Sequence, residues 1–390
     1  MWLMKKLAPD FKTIADFRKD NAECIKKVFR EFVKLCDELD LFGKELLSID
    51  GTKFRAVNSK GRHFSAETLN ERLKQAGGIE RYLREIDEND SAEGGMPSGG
   101  ERTDAADRVK SLNEKIAKLK EKKGEYEGML RKMEETDETE ISLTDPDSRM
   151  MRNNGKLDVC YNVQAAVDSK NKLIADYDVT NASADQNLLK PMVKGAMEIL
   201  GVDGIDAVAD KGYNNFEEMK RCADNHITAY VPEADSSAKG SVRMKSGIPF
   251  PDFYESRFNY DSVCNAYLCP AGQMLEFWYW SDHMHGKRYA CYRTYACFTC
   301  PFHMTKCTVS KNGRVIMRWE HQEIIDEARA RLETKEGREK FAKRKELSEH
   351  PFGTMKRAFN QGYVLLKGLK KVRGETGLTM IAYDMRRAIK

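Results

Sequence analysis

The stretch from Val159 to Val231 constrains the fold of this chain more than any other, because its hydrophobic period switches repeatedly between strand-like and helix-like spacing. Val159–Val167 and Leu173–Val179 are β-rich runs joined by Asp168-Ser-Lys-Asn171, the pattern of a hairpin. A helix follows, with Asp185 near its start. It carries Leu188, Leu189, Met192, Val193, Ala196, Met197 and Leu200 on one face and stops at Gly201. Ile205–Tyr213 reads as a strand ending in an acid and a glycine, Phe216–Asn225 as a short helix, and Ile227–Val231 as another strand.

The flanking segments read differently. Residues 12–42 suggest one helix with Thr13 as its N-cap, ending at Gly43. Leu46–Ala56 suggests a strand ending near Asp50. Ala66–Asp87 and Arg102–Glu135 form a helical hairpin inserted after that strand, linked by the glycine-rich Glu93–Gly100. Val109, Leu112, Ile116, Leu119, Tyr126, Leu130 and Met133 make a heptad-like stripe, read as an intramolecular hairpin rather than a dimer seam. Residues 233–320 lose this regularity, and from Ile324 the chain is helical again. The expected units are an N-terminal helical segment (1–44), a first catalytic part (45–232, helical insert 65–140), a cysteine-rich insert (233–320) and a C-terminal helical, basic region (321–390).

At 390 residues and 44.6 kDa the chain exceeds what one growing core usually serves. With 41% hydrophobic and 33% charged residues and a mean hydropathy of −0.65, it reads as a globular protein, not a disordered one. Neither a membrane span nor a secretion signal is evident, which points to the cytoplasm. The net charge of +4 is unevenly spread: residues 338–390 hold 14 Lys and Arg against 5 Asp and Glu. Cations clustered in this way suggest a polyanionic partner.

Two of the expected strands end at acids, Asp50 before Gly-Thr-Lys and Asp210 before Lys-Gly-Tyr, and ligand sites in α/β sheets gather at strand C-termini. An isolated Asp-Gly is most often only a turn. Two carboxylates brought close, however, call for a cation between them, and Mg²⁺ is held by one or two protein carboxylates plus substrate phosphates. Glu349 is the best placed third carboxylate, with Glu346 its competitor in the same charged helix. Without the two inserts the element order is strand, strand, strand, helix, strand, helix, strand and a late helix, the skeleton of a ribonuclease-H-like α/β fold.

Four segments carry a family resemblance: Ile49–Lys60, Tyr161–Asp168, Ala209–Tyr213 and Glu349–Arg357. Together they resemble the signature blocks of bacterial insertion-sequence DDE transposases. Phe341, Arg344, Glu349 and Lys356 match that family's late-helix signature, with phenylalanine in place of its usual tyrosine and one extra residue between the arginine and the glutamate. The resemblance implies a ribonuclease-H-like catalytic core with Asp50, Asp210 and Glu349 as its catalytic, Mg²⁺-binding (or Mn²⁺-binding) triad. It further implies that Arg344, Lys356 and Arg357 contact DNA phosphates. The implied reaction is metal-dependent cleavage at terminal inverted repeats and strand transfer into target double-stranded DNA, by at least a homodimer at synapsis, in the bacterial cytoplasm at the nucleoid. Members of that group carry a helical DNA-binding region ahead of the Pro9–Arg18 block, at which this chain almost begins, so autonomous transposition is left open. The rival readings are a nuclease that cuts without joining and a non-catalytic, zinc-stabilised DNA-binding remnant.

Six of the ten cysteines, Cys264, Cys269, Cys291, Cys297, Cys300 and Cys307, fall in one short segment, which in a reducing compartment argues for metal rather than disulfides. Cys297-x2-Cys300 is a knuckle spacing, and with Cys269 and Cys307 it makes a candidate structural Zn²⁺ site in which Cys264 or His303 is an alternative ligand. Phe277–Trp280 is expected in a packed strand core, with base stacking at a DNA end the sharper alternative.

Overall fold

The computed structural model describes residues 8–92, 101–233, 249–283 and 286–389. It begins with two helices, α1 (Phe11–Asp20) and α2 (Ala22–Glu38), where one was expected. The break falls at Asn21, whose backbone and side-chain N–H groups both bond the Phe17 carbonyl and so close α1. The N-cap of α1 is Asp10, not Thr13; its Oδ1 accepts from the Thr13 amide at 2.7 Å. Ile25, Phe29, Val33 and Cys36 give α2 a buried stripe.

Four strands and two helices precede the hairpin. These are β1 (Leu46–Arg55), β2 (His63–Ser65), α3 (Ala66–Ala92), α4 (Glu101–Thr136), β3 (Glu140–Ser142) and β4 (Arg149–Asn153), followed by β5 (Lys156–Asp168) and β6 (Ile174–Thr180). β1 does not stop at Asp50. It continues to Arg55 because β5 pairs antiparallel along it from Leu47 opposite Asp168 to Arg55 opposite Cys160, which keeps Asp50-Gly51 extended where an isolated Asp-Gly would turn. α3 and α4 pack on each other and close on β2 and β3 through Phe64, Leu69, Met133 and Ile141. The Glu93–Gly100 linker lies outside the described residues, as do the side chains of Val109 and Leu112 from the expected stripe.

The chain then runs through α5 (Leu189–Leu200), β7 (Ile205–Val208), α6 (Phe216–Ala223) and β8 (Ile227–Tyr230), much as the hydrophobic pattern predicts. Gly201, at φ 66°, adopts the left-handed conformation that closes α5. β7 lies parallel beside β1, β8 parallel beside β7, and β6 antiparallel on the far side of β5, giving the order β6-β5-β1-β7-β8 with β4 paired to the first half of β5. This is a mixed α/β sheet.

Residues 259–319 are more regular than their composition suggests. β9 (Asn259–Asp261), β10 (Ala266–Leu268), β11 (Met274–His283), β12 (Lys287–Arg293) and β13 (Ile316–Trp319) form a second, antiparallel sheet in chain order. The expectation that Phe277–Trp280 is packed in a core fails: these four side chains are 40–48% exposed. β10 pairs only with Met274–Glu276, so the rest of β11 extends past its neighbour on that side, and a register shift between Phe277 and Tyr279 disturbs the strand further. Arg293 and Arg288 stack on Trp278 and Trp280, at 3.4 and 4.7 Å from the ring centres.

α7 (Gln322–Glu333), α8 (Lys335–Arg357) and α9 (Leu369–Ala388) end the chain. α8 lies along β1 and continues through the buried Pro351. That proline removes one backbone hydrogen bond, and the burial of Leu347, Phe352 and Met355 around it holds the helix together. α9 packs against α2 and β6, and two glycines allow the approach: a Cβ on Gly374 would lie 2.5 Å from the Ala22 backbone, and one on Gly377 only 2.1 Å from the Tyr177 hydroxyl. Because backbone, not a side-chain tip, opposes Gly374, Gly374→Val is expected to cost about 2 kcal/mol, within the usual range for overpacking. A chemical denaturation curve should show a lower midpoint at unchanged slope; an unchanged midpoint would refute this packing.

Candidate active site

Strand pairing alone brings the two predicted aspartates together. Ser48 of β1 is the register partner of Val208 in parallel β7, and two residues further along each chain stand Asp50 and Asp210. Asp50 remains within β1, opposite Ala165 of β5. Asp210 lies just past β7, where it caps the single 3₁₀ turn Lys211–Tyr213 by accepting the Gly212 amide at 2.7 Å.

Asp50 is half-buried and its carboxyl is held above the usual carboxylate range, chiefly by burial and further by the neighbouring charge of Asp210. Acting the other way are the Gly51 amide at 2.8 Å, the Ser348 hydroxyl and the Arg344 guanidinium. Two of these three come from α8. Ser348, buried on that helix, also reaches the Arg344 carbonyl at 2.8 Å. Two turns beyond it, the half-buried Lys356 has its ammonium pKa lowered by burial, with Asp50 opposing that shift. The helix therefore delivers two cations, Arg344 and Lys356, to the neighbourhood of Asp50, while Lys343, Lys345 and Arg357 stand exposed on it.

Glu349 follows Ser348 directly and is exposed. Among the described residues no three Cys, His, Asp or Glu side chains stand together at metal-binding distance, so the triad is not gathered as a unit: Asp210 acts electrostatically on Asp50, and Glu349 stays exposed on α8. The competing Glu346 is engaged elsewhere, in an exposed ion pair with Lys172.

Below the aspartates lies a polar network not singled out from the sequence. The Gln164 amide donates to Asn162 Oδ1 at 2.8 Å and to Asp185 Oδ1 at 2.9 Å, and its carbonyl accepts from the buried Tyr213 hydroxyl. Asp185 also pairs with Lys53 at 3.1 Å. Burial raises the Tyr213 hydroxyl well above its ordinary value, with Asp185, Asp50 and Asp210 adding to the effect. Gly51 is required here: a Cβ would meet Gln164 Nε2 at 2.1 Å and Asn162 Oδ1 at 3.0 Å. Gln164 and Tyr213 do stand in the segments that carried the family resemblance, but nothing local in the sequence marks them as packed under Asp50.

The aspartates do not line the cavity of about 810 Å³ found between the second sheet and α7, around Tyr260, Arg318 and Trp319. At the margin of the second sheet, Cys269, Cys297, Cys300 and Cys307 border a separate small cavity. Burial pushes the Cys307 thiol up to about 11; Arg314 opposes this, and the Cys297, Cys269 and Cys300 thiols reinforce it. All ten cysteines are free.

Residues 268–389 match a family model described as a transposase DDE domain. That stretch is about a third of the chain and is similar to a transposase DDE domain. The matched region spans β10 to α9 and so includes Arg344, Glu349, Lys356 and Arg357, whereas Asp50 and Asp210 lie before it. The description of the matched family points to a transposase, an enzyme class that acts on DNA and generally uses divalent metals such as Mg²⁺. No curated protein and no solved structure matches the chain. No described helix is long and apolar enough to cross a membrane.

Since the Asp50 pKa is raised on folding, its protonated form is the one the fold favours, so its contribution is present in acid and is lost as pH rises through the folded-state value. Asp50→Asn in metal-free protein should therefore raise Tm at pH 7, by about 2–4 °C for each kcal/mol of relieved repulsion, with the difference closing toward pH 4. Thermal melts across that range check it; a variant less stable than wild type at pH 7 would contradict the electrostatic account.

Proposed function

We propose that this chain is a transposase of a bacterial insertion sequence, which cuts DNA at the element's terminal inverted repeats and joins the freed 3′ hydroxyl to a target duplex. The observation that carries the reading is the side-by-side placement of Asp50 and Asp210 by parallel β1 and β7, beside a helix that lies in the stretch similar to a transposase DDE domain. The strand order β6-β5-β1-β7-β8, with only β1, β7 and β8 mutually parallel, supports a ribonuclease-H-like core interrupted by the α3–α4 hairpin and the second sheet.

Asp50, Asp210 and Glu349 are the residues proposed to hold Mg²⁺. The donor set suits a hard cation, being all carboxylate oxygen, and the mutual repulsion that helps to raise the Asp50 pKa is what a bound cation relieves. When bound, the metal supplies Lewis-acid stabilisation to the attacking and leaving oxygens of an in-line displacement at phosphorus. The protein's own groups supply position. The Gly51 amide and Ser348 hydroxyl fix the Asp50 carboxylate, and Gln164 and Tyr213 brace the strand beneath it. Lys356 and Arg344 hold the scissile phosphate from either side, and Arg357 extends the contact along the backbone. Glu349 completes the set when α8 settles on the bound duplex. Two such ends, each in its own protomer, form the synaptic homodimer.

The decisive assay is cleavage of a labelled duplex ending in the element's terminal repeat, with Mg²⁺ or Mn²⁺, wild type against Asp210→Ala. Nicking at the repeat end should fall by at least about 10³-fold in the variant, the scale lost when a group acting directly in the transition state is removed. Binding without cutting by either protein would leave a DNA-binding remnant, and nicking without joined products a nuclease. A readout independent of activity is thermal stability: Mg²⁺ should raise the Tm of wild type in a concentration-dependent manner and leave that of the Asp50→Asn, Asp210→Asn double variant unchanged.

A further inference from the structure

The small cavity at the margin of the second sheet is built around four sulfurs that the transposition reading does not use. We propose that Cys269, Cys297, Cys300 and Cys307 bind one structural Zn²⁺, which ties the turn between β10 and β11 to the loop between β12 and β13. Each thiol arrives on a different piece of local geometry. Cys269 opens the turn Cys269-Pro-Ala-Gly-Gln273, closed by Gly272 N–H to Cys269 O at 2.8 Å and Cys269 N–H to Gln273 O at 2.9 Å. The Gln273 amide then points at Cys269 Sγ, 3.3 Å away, the kind of N–H to sulfur contact that stabilises a thiolate. Cys297 sits in the 3₁₀ turn Tyr295–Thr299, Cys300 caps it, and Cys307 returns from the following loop. Gly313, at φ 81°, lets the chain pass so close to Cys297 that a Cβ there would come within 2.8 Å of the Cys297 Cβ.

The cavity of about 20 Å³ has room for a single water-sized occupant, which suits one ion and little else. Four thiolates around Zn²⁺ carry a net charge of −2, and Arg314, which lines the same cavity, has a buried Nε with no hydrogen-bond partner. A tetrathiolate centre gives that orphaned donor its acceptor and that cation its counter-charge. The alternative ligands Cys264, exposed in the β9–β10 turn, and His303 do not line this cavity. Among the described residues the candidate ligands do not already stand at coordinating distance, so binding draws the thiols inward and releases their four protons to solvent. The sheet needs such a clamp because its own buried cluster is small, limited to Phe258, Tyr267, Leu275, Ala290, Tyr292 and Ile316.

The test is the metal content of the full chain, purified reduced and without added metal, by atomic emission and by release on mercurial titration of the thiols. One zinc per chain is expected, lost in Cys269→Ser and Cys300→Ser and retained in Cys264→Ser and His303→Ala. Should the serine variants not fold, the wild-type chain decides alone: replacing zinc with Co²⁺ should produce intense thiolate-to-cobalt absorption with tetrahedral d–d bands. Substoichiometric zinc with no cobalt spectrum from reduced protein overturns the site, and so does full zinc occupancy in Cys300→Ser.

Discussion

The pairing of Ser48 with Val208 sets everything else at the candidate site. Neighbouring strands lie about 4.8 Å apart, so residues equally advanced along parallel β1 and β7 face each other at that scale, and two carboxylates there repel. The chain tolerates the repulsion because β1 is clamped on both flanks: its antiparallel pairing with β5 runs from Leu47 to Arg55, and Leu47, Ile49 and Phe54 are fully buried. A one-residue slip of β1 against β7 would turn Asp50 to the opposite face of the sheet and carry Leu47 and Ile49 out of their core positions, so the hydrophobic core itself enforces the position of the acids.

That enforcement has a cost in stability, which the surroundings offset only in part. The raised Asp50 pKa means that two hydrogen bonds and the Arg344 charge do not fully compensate desolvation and the Asp210 charge. Strain of this sort, unbalanced in the free protein and relieved by a ligand, is what a cation-binding site requires, since a carboxylate already satisfied by protein donors has less affinity to offer. One side of the site is the hydrogen-bonded Gln164–Asn162–Asp185 network with Tyr213, in which all but the half-buried Asp185 are buried. On its other side lies α8, carrying the exposed Glu349. On the proposed reading, a fixed aspartate pair and a glutamate on a separate helix suit a substrate as large as a DNA duplex.

How much of this was legible in the sequence depended on whether the deciding interaction was local. The alternation from Val159 to Val231 gave the hairpin, α5, β7, α6 and β8 nearly in full, because burial of a regular face writes its period into the chain. Asp50 and Asp210 were legible as acids followed by glycine, and the structure brings them together. The continuation of β1 past Asp50 was not legible, because it depends on β5, more than a hundred residues away. Asn21 divides the N-terminal helix through its bonds to Phe17, an option open to any asparagine and taken by few. Ser348 and Gln164 gave no signal of their own: a serine in a charged helix and a glutamine in an apolar strand acquire meaning only from what they touch. The aromatic run of β11 was misread for the opposite reason, since its composition resembles a core strand while its neighbour β10 is too short to cover it.

The two excursions from the main sheet show why such a site can be interrupted so heavily and remain intact. The α3–α4 hairpin closes on its own cluster of Phe64, Leu69, Met133 and Ile141, and the second sheet on another, with Trp319 and the partly buried Tyr289 linking that sheet to the large cluster that spans α2, the main sheet, α5 and α9. Each excursion is a nearly separate folding problem, and the precision needed at Asp50 and Asp210 is left to the strands that pair directly. The sheet of β9–β13 nevertheless stands in the chain between β8 and α8, so its ends fix where α7 and then α8 begin. Phe216 of α6 stacks on Trp319 of β13, with ring centres 5.8 Å apart, and joins the second sheet to the first just ahead of α7. The position of Arg344, Ser348 and Lys356 over the aspartates therefore depends on a small sheet whose own core is thin, and any interaction that rigidifies that sheet also rigidifies the helix that completes the site.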